Sequence, residues 1–278
     1  MTTTIMRGQI SATGPVERRT SAPMTARVLG ALVALAAGIV GVAMLVAPGA
    51  TGDYFSWALG PPVLAATVGA FYVASASVFG WAVARGTWAS LRPLCIAVFG
   101  LTLPTLASTV HHRDVFDFDR WQAVAWVVLF VSSAVLFALV LSTTRRTASD
   151  DGREVAPWGR GILALLAATY AVVAVVLWAR PDMSSYGPVV ASGLGVRFVG
   201  SWSAFLAILA GLAAIRPMWT EARVGVFALV LFPLSGLAAA IAHFGELRTG
   251  LSAVGYVVGS ALLAGGAASV VRGVRRAA

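Results

Sequence analysis

The chain of 278 residues is 59% apolar and only 11% charged, whereas soluble domains carry about a quarter charged residues. This composition excludes an ordinary soluble domain and indicates an integral membrane protein. The formal net charge of +9 comes from twenty arginines and no lysine. Because the arginines are scattered between apolar runs rather than clustered on one soluble face, nucleic acid is not an expected partner.

Eight apolar runs follow one another along the chain, and each is long enough to cross a bilayer as a helix of about 20 residues. Helices are expected because lipid cannot satisfy an exposed backbone. The polar, patternless segment before the first run, residues 1–26, predicts a disordered tail. The predicted spans are 28–46, 62–84, 93–110, 121–144, 161–179, 188–215, 224–243 and 251–271.

The distribution of the arginines predicts the orientation in the membrane. With the N-terminus inside, fifteen arginines lie on the cytoplasmic side and five on the outer side. Such an excess of positive residues is typical of the cytoplasmic segments of membrane proteins. Eight spans then leave both termini in the cytoplasm. The arginine-only, alanine- and valine-rich composition fits the plasma membrane of a high-GC bacterium. Six tryptophans near span ends are interpreted as interface anchors: Trp57, Trp88, Trp121, Trp158, Trp178 and Trp219.

The second half of the chain repeats features of the first half. The start of the first span, "RVLGALVALAAG", matches the start of the fifth, "RGILALLAATYA", and the third and seventh spans share mid-helix prolines, Pro104 and Pro233. This self-similarity predicts an all-α integral membrane fold of two parallel four-helix repeats with both termini inside. The predicted units are repeat one at 27–144, a cytoplasmic linker at 145–159, repeat two at 160–272 and a short basic tail at 273–278.

Polar residues gather at the predicted outer ends of the third and seventh spans. His111 and His112 precede Asp114 in "HHRD", and His243 precedes Glu246 in "HFGE". A histidine and a carboxylate three residues apart point to the same side of a helix end, where they could bind a divalent metal or move a proton. Ordinary polar helix caps are the alternative interpretation. The candidate metal ligands are His111, His112, Asp114 and His243, and either His111 or His112 can match His243.

Arg197 is a charge inside a predicted span. Aligning residues 61–79 with 187–205 places it opposite Phe71, ten residues into the second span. A charge at that depth is costly and usually faces the protein interior at a functional site. In that case Glu246, Asp182 or Asp114 is the expected counter-ion, with an anionic ligand as the alternative. The other interpretation is that Arg197 extends outward to the membrane surface.

Three short motifs connect the first half to known proteins. They are W-x-x-x-P-P at Trp57, Pro61 and Pro62, GA-x-Y at Gly69, Ala70 and Tyr72, and H-x-D-x-F-x-F at His112, Asp114, Phe116 and Phe118. With these motifs the chain resembles eight-span membrane proteins of actinobacteria to which no activity is attached. The resemblance implies no reaction and no cofactor. It favours His112 and Asp114 over His111 as candidate site residues.

Three functions are compatible with these features. The first is a permease for a small solute or ion, whose outer vestibule would contain Arg197, His112, Asp114, His243 and Glu246. The second is a scaffold that packs against a partner membrane protein. The third, an enzyme acting on a lipid at the outer face, is the least favoured, because no catalytic motif or cofactor signature is present. The expected partners are the lipid bilayer and either a small solute or another membrane protein.

Overall fold

A computed structural model describes residues 21–144, 153–182, 191–247 and 251–276. Within these ranges eight long helices are apolar enough to cross a membrane, which confirms a polytopic helical membrane protein. They are α1 (Met24–Val46), α3 (Pro62–Arg85), α4 (Trp88–His111), α5 (Trp121–Thr143), α6 (Pro157–Ala179), α7 (Gly193–Ile215), α8 (Trp219–Ala242) and α9 (Leu251–Val270), with a short helix α2 (Thr51–Tyr54) after α1.

The eight helices divide into an inner and an outer set. In α3, α4, α7 and α8, between 56% and 67% of the apolar window is buried, whereas in α1, α5, α6 and α9 the share is 17–22%. The inner set therefore forms the core of the bundle, and the outer set turns most of its surface toward lipid. Across the middle of the bundle α4 packs on α7, and α3 packs on α8. Both contacts join the first half of the chain to the second.

Aromatic rings fill the core between these helices. Trp57 lies 4.9 Å from Trp126 and 5.7 Å from Phe198, and Trp202 lies 5.5 Å from Phe232, measured between ring centroids. The interface-anchor prediction is wrong for Trp57 and Trp88, which are 3% and 2% exposed. Both tryptophans lie near helix ends in the sequence, but their side chains pack inside the bundle rather than at its surface.

One end of the bundle carries short backbone bridges. Strand β1 (Arg153–Val155) pairs antiparallel with β2 (Val274–Arg276), so this part of the predicted linker and tail is ordered. Just before α8, the Val155 amide donates to the Pro217 carbonyl at 2.8 Å. Just before α4, the Ala22 amide donates to the Gly86 carbonyl at 2.8 Å. We call this the strand end of the bundle.

Small residues allow two close helix crossings. Gly41 of α1 and Gly69 of α3 lie so close that a Cβ at Gly69 would stand 2.7 Å from the Cβ of Met44. In the other half, a Cβ at Gly200 of α7 would stand 3.3 Å from the carbonyl oxygen of Ala174 in α6. Helix pairs α1–α3 and α6–α7 are thus held at close range in a similar way.

Candidate functional site

The helices α4 and α8 end in the same way. Each ends in a histidine cap, His112 with φ −113° and ψ 35° and His243 with φ −114° and ψ 33°. A single turn of 3-10 helix follows each cap, Arg113–Val115 and Phe244–Glu246. His112, rather than His111, therefore has the backbone position that His243 has. We call this the histidine end of the bundle.

The cap of α8 forms a polar cluster that includes its own carboxylate. One oxygen of Glu246 lies 3.0 Å from Nδ1 of His243, and the other accepts a hydrogen bond from the Val63 amide at 2.9 Å, at the start of α3. The hydrogen bond from His243 holds the pKa of Glu246 below its ordinary value, with the Val63 amide acting in the same direction. We call His243, Glu246 and Val63 the Glu246 cluster. In it the Glu246 carboxylate accepts from both donors, the His243 ring and the Val63 amide.

The cap of α4 forms a second cluster around Arg197. Nη1 of Arg197 lies 3.0 Å from Nε2 of His112, and Nε donates to the Trp178 carbonyl at 3.2 Å. The guanidinium carbon also lies 5.2 Å from the centroid of the Trp178 ring. Arg197 is partly buried and turns toward α4 and α6. We call Arg197, His112 and Trp178 the Arg197 cluster.

Arg197 lies inside α7, but nearer the end of the helix than its alignment with Phe71 predicts. Phe71 is the tenth residue of α3, but Arg197 is the fifth residue of α7, because this helix begins at Gly193 rather than at residue 188. Arg197 therefore lies about five residues nearer the helix end than the sequence alignment placed it. At this depth its side chain reaches the cap of α4 directly.

None of the predicted counter-ions pairs with Arg197. Asp182 binds Arg180 through two bonds of 3.0 and 2.9 Å, and Glu246 belongs to the other cluster. Asp114 is exposed and makes no hydrogen bond within the described ranges. Residues 183–190, outside those ranges, contain no acidic residue. Among the described residues, the hydrogen-bond partners of the guanidinium are an imidazole and a carbonyl, and both are uncharged acceptors.

The contact with Arg197 fixes the protonation state of His112. An arginine can only donate hydrogen bonds, so Nε2 of His112 must accept one and the ring carries its proton on Nδ1. Burial lowers the pKa of His112, and the positive charges of Arg197 and His111 lower it further, while Asp114 opposes them. His112 is thus a neutral ring with one remaining donor, the Nδ1–H group.

Two further donors lie at the depth of Arg197, one on Trp178, which contacts it, and one on Ser108. In the antiparallel pair α4–α7, a Cβ at Gly100 would stand 3.0 Å from the Ala204 carbonyl, and a Cβ at Gly193 would stand 3.5 Å from Cε1 of His112. By this register Ser108 is level with Arg197. The Ser108 hydroxyl and the Trp178 indole N–H are buried without a hydrogen-bond partner among the described residues. The site is rich in donors, which suits an anion.

Four of the five residues of the predicted vestibule fall into two clusters. His112 and Arg197 meet in one, His243 and Glu246 meet in the other, and no hydrogen bond between described residues joins the two. Asp114 belongs to neither by a direct bond. Within the part of the chain that the structure describes, no three His, Cys, Asp or Glu residues are close enough to hold a metal ion, so the predicted metal site gains no support.

Sequence reasoning missed two residues of these clusters, Val63 and Trp178, and the buried Ser108 at the depth of Arg197. Val63 contributes only its amide, which no side-chain pattern can reveal, and Ser108 is one of many small polar residues in the spans. The sequence predicts Trp178 as an interface anchor, whereas its ring and carbonyl both contact Arg197. Comparisons with family models, with curated proteins and with solved structures find no match to this chain. Its function is therefore inferred from its own geometry.

Proposed function

We propose that the protein is a plasma-membrane permease for a small anionic solute, with the Arg197 cluster as its outer binding site. The observation that carries this proposal is a guanidinium near the end of a membrane helix with no carboxylate partner among the described residues. A charge in such a place is costly unless it is compensated. A ligand anion supplies that compensation, and Arg197 and the two residues it contacts, His112 and Trp178, each keep an unused N–H donor.

The proposal includes the two parallel repeats and the cytoplasmic termini. The matching histidine caps, the matching backbone bridges before α4 and α8, and the matching close crossings support a duplicated four-helix unit. Spacings agree as well: 131 residues separate Thr87 from Met218 before the two helices, and 131 residues separate the two caps His112 and His243. The arginine bias supports placing the histidine end outside and the strand end in the cytoplasm.

A permease of this kind needs a path between its two halves, and the core is filled in this conformation. The aromatic rings of Trp57, Trp126, Phe198 and Trp202 occupy the centre. At the strand end, the cavity beside Arg216 and Glu221 measures only about 10 Å³, roughly the space of one water molecule. The solute would therefore bind first at the histidine end, and the α4–α7 and α3–α8 contacts would have to shift before it passes.

The same filled core favours a second candidate, a scaffold that does not transport. A scaffold needs a rigid bundle, and the aromatic packing supplies one. The enzyme hypothesis gains less, because Arg197 occupies Nε2 of His112 and Asp114 makes no hydrogen bond to that ring. The acid–base pair expected of His112 and Asp114 is therefore not formed.

The binding test compares two arginine variants of the purified protein. Arg197→Gln should weaken binding of an anion panel of chloride, phosphate, sulfate and acetate by about tenfold or more, because it removes charged hydrogen bonds. Arg120→Gln is the matched control, since Arg120 is also near the histidine end but hydrogen-bonds the Asp53 carbonyl. Equal binding by Arg197→Gln and the unmodified protein would contradict the proposal.

The transport test uses the same proteins in liposomes. Uptake of the best-binding anion should require Arg197 and tolerate Arg120→Gln. Binding without uptake would reject the permease and leave a scaffold or receptor that recognises an anion. Absence of both binding and uptake would reject the anion site itself.

A further inference from the structure

The two clusters at the histidine end have the same backbone frame but differ in one acidic side chain. Val115 is the last residue of the 3-10 turn after His112, and Glu246 is the last residue of the turn after His243. Both turns begin one residue after a histidine with nearly identical backbone angles. A carboxylate therefore completes one cluster from within the chain, while the corresponding position of the other holds an apolar side chain.

The ring nitrogens show where the missing carboxylate would bind. In the Glu246 cluster the carboxylate binds Nδ1 of the histidine. In the Arg197 cluster Arg197 uses Nε2 of His112, which leaves Nδ1 as the available N–H donor. The nitrogen that Glu246 engages in His243 is thus the one left over in His112. Val115 is 45% exposed, so solvent reaches this position.

Each of the two histidine caps lies against the first turn of another helix. Glu246 reaches across to the Val63 amide, in the first turn of α3. His112 likewise lies against Gly193, the first residue of α7. Each cap thus meets the start of a helix from the other half of the chain. Arg197 is the added feature of the first cluster, because the fifth residue of α3 is Ala66 where the fifth residue of α7 is Arg197.

We propose that the ligand of the Arg197 cluster is a carboxylate, which takes beside His112 and Arg197 the place that Glu246 takes beside His243. This inference rests on the proposed anion site and narrows its ligand class. A carboxylate accepts from the Nδ1–H group of His112, as Glu246 does at Nδ1 of His243. Arg197, on the opposite ring nitrogen, holds this tautomer and supplies a positive charge nearby. The Glu246 cluster is then a second version of this site, in which the side chain of Glu246 takes the place of a bound carboxylate.

The test introduces the missing acid. Val115→Glu should place a carboxylate beside His112 and compete with an added carboxylate, since a tethered group has an effective concentration of mM or more. Acetate affinity should fall by about tenfold or more in Val115→Glu and stay within about twofold in the matched control Val115→Gln. The purified protein should bind acetate more tightly than chloride, phosphate or sulfate.

Nitrogen NMR of histidine-labelled protein reads out the site directly, because the chain has only three histidines. Acetate should shift the Nδ1 signal of His112 but not that of His243. In Val115→Glu the Nδ1 signal should be shifted already, and acetate should add nothing. This readout does not depend on transport and also reports whether the variants remain folded.

Two sources could supply the carboxylate, a free solute or the serine headgroup of a lipid. Nanodiscs of phosphatidylcholine with and without phosphatidylserine distinguish them, since the lipid alone would shift the His112 signal if the headgroup were the ligand. Phosphate or chloride binding that depends on Arg197 but is unaffected by Val115→Glu would overturn the carboxylate assignment and leave the proposed anion site standing. Loss of binding for every anion would instead overturn the proposed function.

Discussion

Two partly buried arginines, Arg216 at the strand end and Arg197 at the histidine end, have different kinds of hydrogen-bond partner. At the strand end Nη1 of Arg216 pairs with Glu221 at 2.7 Å, and the two side chains are only 14% and 11% exposed. At the histidine end Arg197 meets a neutral imidazole and a carbonyl instead. The first arrangement is a closed ion pair that stabilises the fold, whereas the second keeps a charge available. Comparing the two shows which arginine is structural and which is a candidate for binding.

Breaking the closed pair should have the largest effect on stability. Glu221→Gln leaves Arg216 buried without its counter-charge, which should lower the free energy of unfolding by about 3 kcal/mol. Unfolding of the purified protein in detergent measures this loss. The exposed pair of Arg180 and Asp182 is the control, and Asp182→Asn should leave stability unchanged. Equal losses for both variants would show that the burial of the Glu221 pair has no energetic consequence.

Packing near the histidine end gives the next largest effect. Gly69→Ala forces a methyl group to within 2.7 Å of the Met44 Cβ and should cost about 2 kcal/mol by overpacking. Gly80→Ala is the matched control on the same helix, because nothing lies within 4 Å of the added Cβ, and it should be neutral or slightly stabilising. If both variants behaved alike in the unfolding assay, the close approach of α1 and α3 would be in error.

Removing the available charge should change stability much less. Arg197→Gln loses hydrogen bonds to His112 and Trp178, each worth about 1 kcal/mol, but it also removes an uncompensated charge from apolar surroundings. We expect the two effects to offset each other to within about 1 kcal/mol. The same unfolding assay applies, and a loss as large as that of Glu221→Gln would mean that Arg197 is structural, with a counter-ion of its own.

Acidification should produce the smallest change, and it should involve the histidine end. The pKa of folded His112 lies below its ordinary value of 6.5, so the unfolded chain binds more protons as the pH falls below that value. Stability from this residue is therefore present above pH 6.5 and is lost as the pH falls through the folded pKa. Thermal unfolding between about pH 5 and about pH 7 measures it. His112→Gln should flatten this part of the profile.

Most of the fold could be predicted from the sequence, because each span must be a long apolar helix. The eight spans, the polar histidine ends and the presence of a charge, Arg197, within the sixth span all follow from local composition. The clusters themselves could not be predicted, since they depend on which helix ends meet across the two halves. A single vestibule requires the side chains of His112 and His243 to face the same cavity. The packing of α4 on α7 and of α3 on α8 instead gives each histidine its own neighbours.

The depth of Arg197 illustrates the same limit. Sequence matching aligned residues 61–79 with 187–205 and so placed Arg197 opposite Phe71, in two spans where small apolar residues are abundant. Only the start of α7 at Gly193 fixes the register and brings the guanidinium to His112. A shift of five residues along a helix is about 7.5 Å, enough to decide whether two side chains can touch.

The pairing of β1 with β2 has a consequence for how the protein is assembled. The second strand follows α9 in the chain, so the first strand has no partner until α9 has been synthesised. Formation of the small sheet therefore comes after the synthesis of α9. Protease accessibility of the segment around Glu154 during synthesis would show when that step occurs.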